Sequence, residues 1–400
     1  AREKLEYAVR LQPSYAEAHN NLGLLAQAEE NLVAAENHYR AAIEQNPNYA
    51  EAHANLGLVY KAQYRHEEAI ASCKAAVALN PRLIKAWNSL GNCYLAVQEF
   101  DQAIAAYRKA LEINPAFRGA LNNLGKAYSD MGDAASAIDI YRQLLEADPS
   151  AAAYSDLAIA LDLDGQTEEA REAFQQALAL DPDHAEANTR YGYHNLRHGF
   201  LDRGWKHHEY RFRKTKGPVK VSHHASARWK GEALDDKTVL LLAEQGIGDQ
   251  IQFVRFTRDL ADRGAVVKLE CHPGLVSLFS RLPFLDEVVP AGMSLPAADF
   301  HLPLLSLPQA LAITADQLDR GIYMPPPEEL ETFWADRLST LDDFKVGIHW
   351  QGNPHFPADH KRSFPLAHFG RIGTVAGTSL VSLQKGDVGT SQLPAFRQRH

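Results

Sequence analysis

Small and apolar residues recur along the first half of the chain with a period of 34. Leu22-Gly23, Leu56-Gly57, Leu90-Gly91 and Leu124-Gly125 share one phase, Ala35, Ala69, Ala103, Ala137 and Ala170 a second, and Tyr39, Cys73, Tyr107, Tyr141 and Phe174 a third. The stretches between are helix-sized and amphipathic. Pro13, Pro47, Pro81, Pro115, Pro149 and Pro182 keep the same period, with the last step shortened to 33. Each follows one helical stretch and opens the next hairpin, where a missing N–H costs little. A small residue recurs where two helices cross closely, and a large one where the next repeat needs filling. The pattern predicts stacked antiparallel helix pairs over residues 13–202. Residues 1–12 fit only the second helix of a further repeat, since Ala1, Leu5 and Ala8 keep the phases of Ala35, Tyr39 and Ala42. With no initiator methionine and no polar capping unit, the chain reads as cut at this end.

This period, with its phases of glycine, alanine and aromatic residues, resembles the tetratricopeptide repeat. The residues two before these glycines, on the helix that lines the concave side of such superhelices, are Asn21, Asn55, Ser89 and Asn123, with Asp156 at the same phase before Ala158. They look like the asparagine ladder by which the repeats of O-GlcNAc transferases hold an extended peptide. An amide both donates and accepts, so a row of them can pair with a strand of any sequence. The resemblance implies a protein or extended peptide held at Asn21, Asn55 and Asn123. The alternative is that these side chains only solvate the face, with Ser89 and Asp156 interrupting the row.

Beyond residue 202 the periodicity changes. A last helix runs through Gly204-Trp205, and residues 203–236 read as that helix plus a basic linker. From Thr238 short apolar runs alternate with helical stretches, which predicts βαβ units and a parallel sheet. The first run, VLLLA, precedes a helix over 250–263. The run AVVKLEC and strands at 287–289 and 300–302 follow, with a helix over 273–281. This first α/β unit spans 237–325. A connecting segment, 326–344, carries a helix over 328–341. Strands at 345–350 and 379–384 open a second α/β unit, 345–400, which is incomplete.

Charge is unevenly placed. The net charge is −9, yet residues 1–202 hold 28 acidic and 17 basic side chains, against 22 and 24 in the remainder. Between Arg203 and Lys230 nine Lys or Arg face one acid, Glu209. That run is a phosphate contact, a solvated linker or a cradle for the acidic neighbour. The rest of the chain offers no basic face, which excludes nucleic acid as a partner. No apolar run reaches the ~18 residues of a membrane helix, no signal-like start is visible, and three cysteines form no framework. A cytoplasmic protein without a membrane span is expected.

The chemistry points to Gly246-Ile247-Gly248-Asp249, after the first strand. Ligands of open parallel sheets sit beyond the carboxyl ends of strands, where glycine permits close backbone approach. A dinucleotide fingerprint would need a third glycine where Ile251 stands, although Glu270 lies at the distance of a ribose-binding acid. The structural alternative is that the glycines turn the chain and Asp249 caps the next helix.

The stretches LLLAEQGIGDQIQFVRF, LECHPGLVSLFSRLPFLDEVVP, VGIHWQGNP, RSFPL and VSLQKG resemble bacterial glycosyltransferases that fuse tetratricopeptide repeats to a heptosyltransferase-like region. The resemblance implies two Rossmann-like halves in the GT-B arrangement, with acceptor mainly on the first and nucleotide sugar mainly on the second. It implies Asp249 as general base and Arg362 as a phosphate-contacting cation, with Gly246 and Gly248 lining the substrate. Lys361 and Lys385 are secondary cations, and His349, Gln351 and Asn353 are polar groups at a strand end. Lys361, Lys385 and His349 read equally well as surface residues. The implied activity is sugar transfer from a nucleotide donor, a substrate rather than a cofactor, with the donor-binding segment lying beyond residue 400 and the fragment inactive alone. The alternative is a non-catalytic repeat scaffold with a degenerate α/β domain. No metal is expected. Asp-x-Asp is absent after residue 230, and the adjacent pairs His207-His208 and His223-His224 diverge on a helix, while His355 and His360 lack ligand partners.

Overall fold

In the computed structural model, which describes residues 2–214, 221–244, 246–318, 324–352 and 363–397, the 34-residue period becomes a stack of helical hairpins. After α1 (Arg2–Leu11) come the pairs α2 (Ala16–Ala28) with α3 (Leu32–Gln45), α4 (Ala50–Ala62) with α5 (His66–Leu79), and α6 (Ile84–Ala96) with α7 (Phe100–Ile113). They continue as α8 (Arg118–Met131) with α9 (Ala134–Ala147), α10 (Ala151–Leu163) with α11 (Thr167–Leu180), and α12 (Ala185–Arg197) with α13 (Leu201–His208).

The recurring phases meet inside each hairpin. A Cβ at Gly23 or Gly125 would lie 2.5 or 2.7 Å from the ring of Tyr39 or Tyr141, and one at Gly91 or Gly57 would overlap Tyr107 or Cys73 Sγ in the same way. The large side chain therefore fills the space that the glycine leaves, and both are buried. In the last hairpin both phases are glycine and the backbones close up. A Cβ at Gly192 would lie 2.7 Å from His208 N, and one at Gly204 would lie 2.6 Å from the Leu196 side chain.

The turn inside each hairpin carries one left-handed residue, at a constant phase. Glu30, Tyr64 and Gln98 hold φ of 60, 63 and 62°, while the later repeats place Gly132, Gly165 and Gly199 there, at 93, 82 and 82°. This conformation brings Cβ against the following carbonyl in every residue but glycine.

The chain divides into two compact units, residues 1–320 and 321–400. In the first, β1 (Ala227–Arg228), β2 (Thr238–Leu242), β3 (Val266–Cys271), β4 (Glu287–Pro290) and β5 (Phe300–Pro303) form one sheet in the order β1-β5-β2-β3-β4. Every pairing is parallel. Val239 to Leu242 are buried along the whole strand, as expected where helices cover both faces. The strand order reverses between β2 and β5, which makes their carboxyl ends a topological switch point.

Three expectations are corrected in this unit. Residues 227 and 228, read as linker, pair with β5; two residues are too few for a periodicity to be visible. The helix expected over 250–263 begins earlier and is broken into α14 (Ile247–Phe253), a 3-10 turn (Val254–Thr257) and α15 (Arg258–Ala261). Phe253, Val254, Phe256 and Thr257 are all buried, and the Thr257 hydroxyl donates to Val254 O at 2.8 Å inside the tightened turn. The helix expected over 273–281 is likewise reduced to a 3-10 turn and α16 (Val276–Phe279). A further short helix, α17 (Leu307–Ala310), follows β5.

The second unit contains α18 (Glu328–Leu338) and a parallel pair, β6 (Phe344–Ile348) and β7 (Thr378–Ser382). Both strands stop short of the expected 350 and 384 for one reason. The buried Gln384 side chain accepts from Trp350 N at 3.1 Å and Gln351 N at 2.9 Å, so an amide group takes over where the ladder would continue. Among the described residues no helix is long and apolar enough to cross a membrane.

Gln98 sits in the left-handed position that glycine fills in the later repeats. Gln98→Gly is therefore expected to raise unfolding stability by up to about 1 kcal/mol, the relief of the Cβ clash less the added entropy of the unfolded chain. Urea denaturation of the variant against the parent checks this, and a lower midpoint would contradict it.

Candidate functional site

The repeats end in a side chain that is buried against the sheet. Arg211 lies in the 3-10 turn Glu209–Arg213 that follows α13, and Glu244 follows β2 at the switch point. Their side chains are 1% and 0% exposed. Arg211 Nε and Nη2 donate to Glu244 Oε2 and Oε1 at 2.9 and 2.8 Å, a two-pronged pairing. Nη2 also donates to Ser306 Oγ at 2.9 Å, and Nη1 donates to Glu209 Oε1 at 2.7 Å and His208 O at 3.1 Å. Leu305 N donates to Glu244 Oε1 at 2.9 Å, and Arg228 reaches Glu209 Oε2 at 2.5 Å. Two guanidinium groups thus face two carboxylates with their hydrogen bonds met. Burial alone would raise the Glu209 carboxyl, but Arg211, Ser306 and Arg228 outweigh it and hold the group below its ordinary value.

Among the described residues, part of the basic run cradles the last repeat. Arg213 pairs with Asp183 at 3.1 Å and Lys214 with Glu186 at 2.9 Å, both acids of the last repeat. The adjacent histidines diverge as expected, His207 reaching Asn188 Oδ1 at 2.8 Å and His208 Nδ1 accepting from Arg211 Nη1 at 3.2 Å.

Beside this network a cavity of about 310 Å³ opens between the last repeat and α14, walled by Tyr193, Trp205, His208, Phe253 and Phe256, with Asp249 at its edge. Asp249 is half-buried, and its Oδ2 accepts from Gly246 N at 3.1 Å, closing the first turn of α14. The carboxylate thus does the work of a cap while also bordering the cavity. Gly246 and Gly248 are exposed. A Cβ on Gly248 would meet nothing within 4 Å, and one on Gly246 only Asp249 Oδ2 at 3.5 Å, so neither position needs glycine for packing. The Trp205 indole N–H is buried with no hydrogen-bond partner among the described residues. Trp205, His208 and Arg211 are not among the site residues expected from the sequence; the signals there are a cluster of large aromatic and basic groups after the last repeat and the family resemblance of the Gly-Trp segment ending in Tyr210-Arg211-Phe212.

Glu270 is structural. It is buried at the end of β3, where its two oxygens accept from Ser222 Oγ at 2.5 Å and Ala243 N at 3.1 Å, so both are engaged within the fold. In the second unit the Gln384 amide draws the ends of β6 and β7 together, donating to Gln351 O at 3.1 Å and Lys385 O at 2.8 Å. His349 and Lys385 are both exposed at these strand ends. Asn353, Lys361 and Arg362 lie outside the described residues.

The ladder positions are engaged between repeats. Asn55 Nδ2 donates to Asn20 Oδ1 at 3.0 Å, and Asn123 Nδ2 donates to Asn88 Oδ1 at 2.9 Å. At the same phase of the last repeat, Arg190 Nη1 donates to Asp156 Oδ1 at 2.5 Å and Ser155 Oγ at 3.2 Å. Asn21 is exposed. Each engaged amide keeps a carbonyl oxygen and one N–H for an incoming strand, so the ladder is half committed to holding its own superhelix.

Profiles described as tetratricopeptide repeat match residues 50–83, 84–117, 119–150 and 151–184, and one described as TPR repeat matches 28–63. The N-terminal half is a tetratricopeptide-repeat array. Among curated proteins, FlbA of Caulobacter vibrioides is 24% identical over 210 residues, which are 47% of this chain and 35% of FlbA. The matched stretch thus spans about a third of that relative. Solved structures similar to the array include a thermophilic TPR protein of Thermus thermophilus, 22% identical, covering 45% of this chain and 99% of its own with a TM-score of 0.40. YrrB, described as a TPR protein with an unusual peptide-binding site, is 22% identical over 47% of this chain and 97% of its own, with a TM-score of 0.38. PilF of Pseudomonas aeruginosa is 20% identical, covering 50% and 92%, with a TM-score of 0.44.

Burial, with the Arg211 charge adding to it, pushes the His208 imidazole down to about 3. The folded protein holds His208 neutral where the unfolded chain, with an ordinary value near 6.5, takes a proton. The stabilisation is therefore complete above that value and is lost as pH falls toward 3. The linked slope is about 1.4 kcal/mol per pH unit, so this group should remove roughly 2 kcal/mol between pH 7 and pH 5. Urea unfolding of parent and His208→Gln at both values measures it, and an equal loss in both proteins would assign the acid sensitivity to other groups.

For the ladder, replacing Asn21, Asn55 and Asn123 together by Ala is expected to weaken an extended peptide partner by a few kcal/mol, at about 0.5–1.5 for each net hydrogen bond. Asn55→Ala and Asn123→Ala should also cost stability of the same order each, whereas Asn21→Ala should not. Calorimetric titration and thermal unfolding of the single and triple variants separate the two effects.

Proposed function

We propose that the repeats hold an extended polypeptide and that the α/β region transfers a sugar to it from a nucleotide-sugar donor, with Asp249 accepting the proton of the acceptor hydroxyl. The repeat array is by itself a protein-interaction scaffold; sugar transfer is the further step. The observation that carries this reading is the shared cavity, in which α12 and α13 of the last hairpin and Asp249 of the switch-point loop border the same space. A chain held by the array and continuing past its last hairpin would meet a carboxylate there. Gly248 fits the same reading, since no packing demand accounts for its missing side chain.

The reaction needs a base for the acceptor oxygen and positive charge where the nucleoside diphosphate leaves. Asp249 supplies the first. Arg362, with Lys361 and Lys385, would supply the second from residues 345–400 in a GT-B arrangement, a role that rests on the motif resemblance. The second reading is a scaffold without catalysis. It is favoured by the bond from Gly246 N to Asp249, which gives the carboxylate a capping role of its own.

Asp249→Asn separates the two, because an amide still caps a helix but cannot take a proton. If Asp249 is the base, transfer at saturating donor and acceptor should fall about 10² to 10⁴-fold. Thermal stability should stay within roughly 1 kcal/mol of the parent, since the cap is retained. Transfer at the parent rate would make Asp249 structural. These rates are read in a protein that includes a complete donor-binding half, and no donor-dependent transfer by it to any peptide that the array binds would leave the scaffold reading.

A further inference from the structure

We propose that Asp162, His194 and His198 form a binding site for a divalent ion of the zinc class, clamping the last two hairpins of the array to each other. Asp162 lies near the end of α10, and His194 and His198 stand four residues apart on α12 and its last turn, so both imidazoles leave one helix face in the same direction. Asp162 Oδ1 is 3.0 Å from His194 Nδ1 and 2.8 Å from His198 Nε2. One ligand atom from each of the three residues lies within 4.8 Å of the others. A tetrahedral ion with bonds of about 2.0–2.2 Å holds its ligand atoms about 3.3 Å apart, so a modest adjustment of side chains converts this cluster into a three-ligand site.

The surroundings hold the three ligand atoms in place. Asp162 Oδ2 is taken by Arg197 Nη1 at 2.8 Å, which fixes the carboxylate and leaves Oδ1 facing both imidazoles. His194 has a side chain 1% exposed, and its Nε2 has no hydrogen-bond partner among the described residues. The rings packed on it are Phe174 and Tyr191, with centroids 5.5 and 6.2 Å away. The neutral ring carries one proton; on Nδ1 it is donated to Asp162 Oδ1, and on Nε2 it leaves Nδ1 free as a ligand atom beside that oxygen. A cation among the three atoms takes the second form and replaces the hydrogen bond. His198, with 27% of its side chain exposed, provides the way in and leaves the fourth coordination position to water. The arrangement escaped the sequence reading of histidines because its carboxylate comes from a different repeat, 32 residues before the first imidazole.

The test uses the whole chain after dialysis against a chelator. Zinc is titrated in competition with a chromophoric chelator, and cobalt is titrated with its visible absorption as readout. One equivalent should bind with micromolar or tighter affinity, cobalt should show the intense bands of a four-coordinate site, and zinc should raise the melting temperature. His198→Ala, a partly exposed position that should leave the fold intact by circular dichroism, should weaken binding at least 10-fold, and Asp162→Asn should do the same. No uptake by the parent chain overturns the proposal. Uptake that both variants retain at full strength also overturns it, since the ion would then sit elsewhere.

Discussion

The buried pairing of Arg211 with Glu244 is the constraint on which the first unit depends. A guanidinium at 1% exposure and a carboxylate at 0% have given up their hydration, and neither is tolerable alone in that setting. Removing one partner of such a pair typically costs about 3–5 kcal/mol. Here the two partners belong to different architectures. Arg211 closes the helical array, whereas Glu244 closes β2, and Ser306 and Leu305 draw the end of β5 into the same set of bonds. The array therefore joins the sheet through a fixed geometry, and the turn after α13 cannot move without stranding a charge.

That join decides what the switch point is for. In an open parallel sheet, the crevice between β2 and β5 is where a ligand is expected. In this chain Arg211 bridges the ends of β2 and β5 through Glu244 and Ser306, and the cavity bordered by Asp249 lies beside it, between α12, α13 and α14. Asp249 borders that space because α14 begins only a few residues beyond Glu244, so the pair that anchors the array also places the carboxylate. The acidic character of the repeats and the basic run after them serve the same junction, through Arg213 with Asp183 and Lys214 with Glu186.

Within the array, polar side chains reinforce the seams that apolar packing creates. Asn55 with Asn20, Asn123 with Asn88, and Arg190 with Asp156 and Ser155 each span two repeats. Each residue contacts only its neighbours in the stack, as in any quasi-one-dimensional fold, so stability propagates from seam to seam. A partner that used the same amides would be coupled to the stiffness of the superhelix.

Local periodicity was sufficient for the array. Leu-Gly, Ala and Tyr phases report a packing relation that repeats within 34 residues, and so the hairpins, their close crossings and even the divergence of His207 from His208 are legible in the chain alone. The parallel strands after Thr238 were legible for the same reason, as short apolar runs between helical stretches. What tertiary structure alone decided lies at longer range or in shorter segments. The two residues of β1 have no period, and the breaks in the helix over 250–263 fall where Phe253, Val254, Phe256 and Thr257 are buried, with Phe253 against Trp205. The Arg211 and Glu244 pairing spans 33 residues between two folds, and the Asp162 cluster joins helices of two different repeats. None of these leaves a trace in composition or spacing, because a charge reveals its partner only when the chain has folded around both.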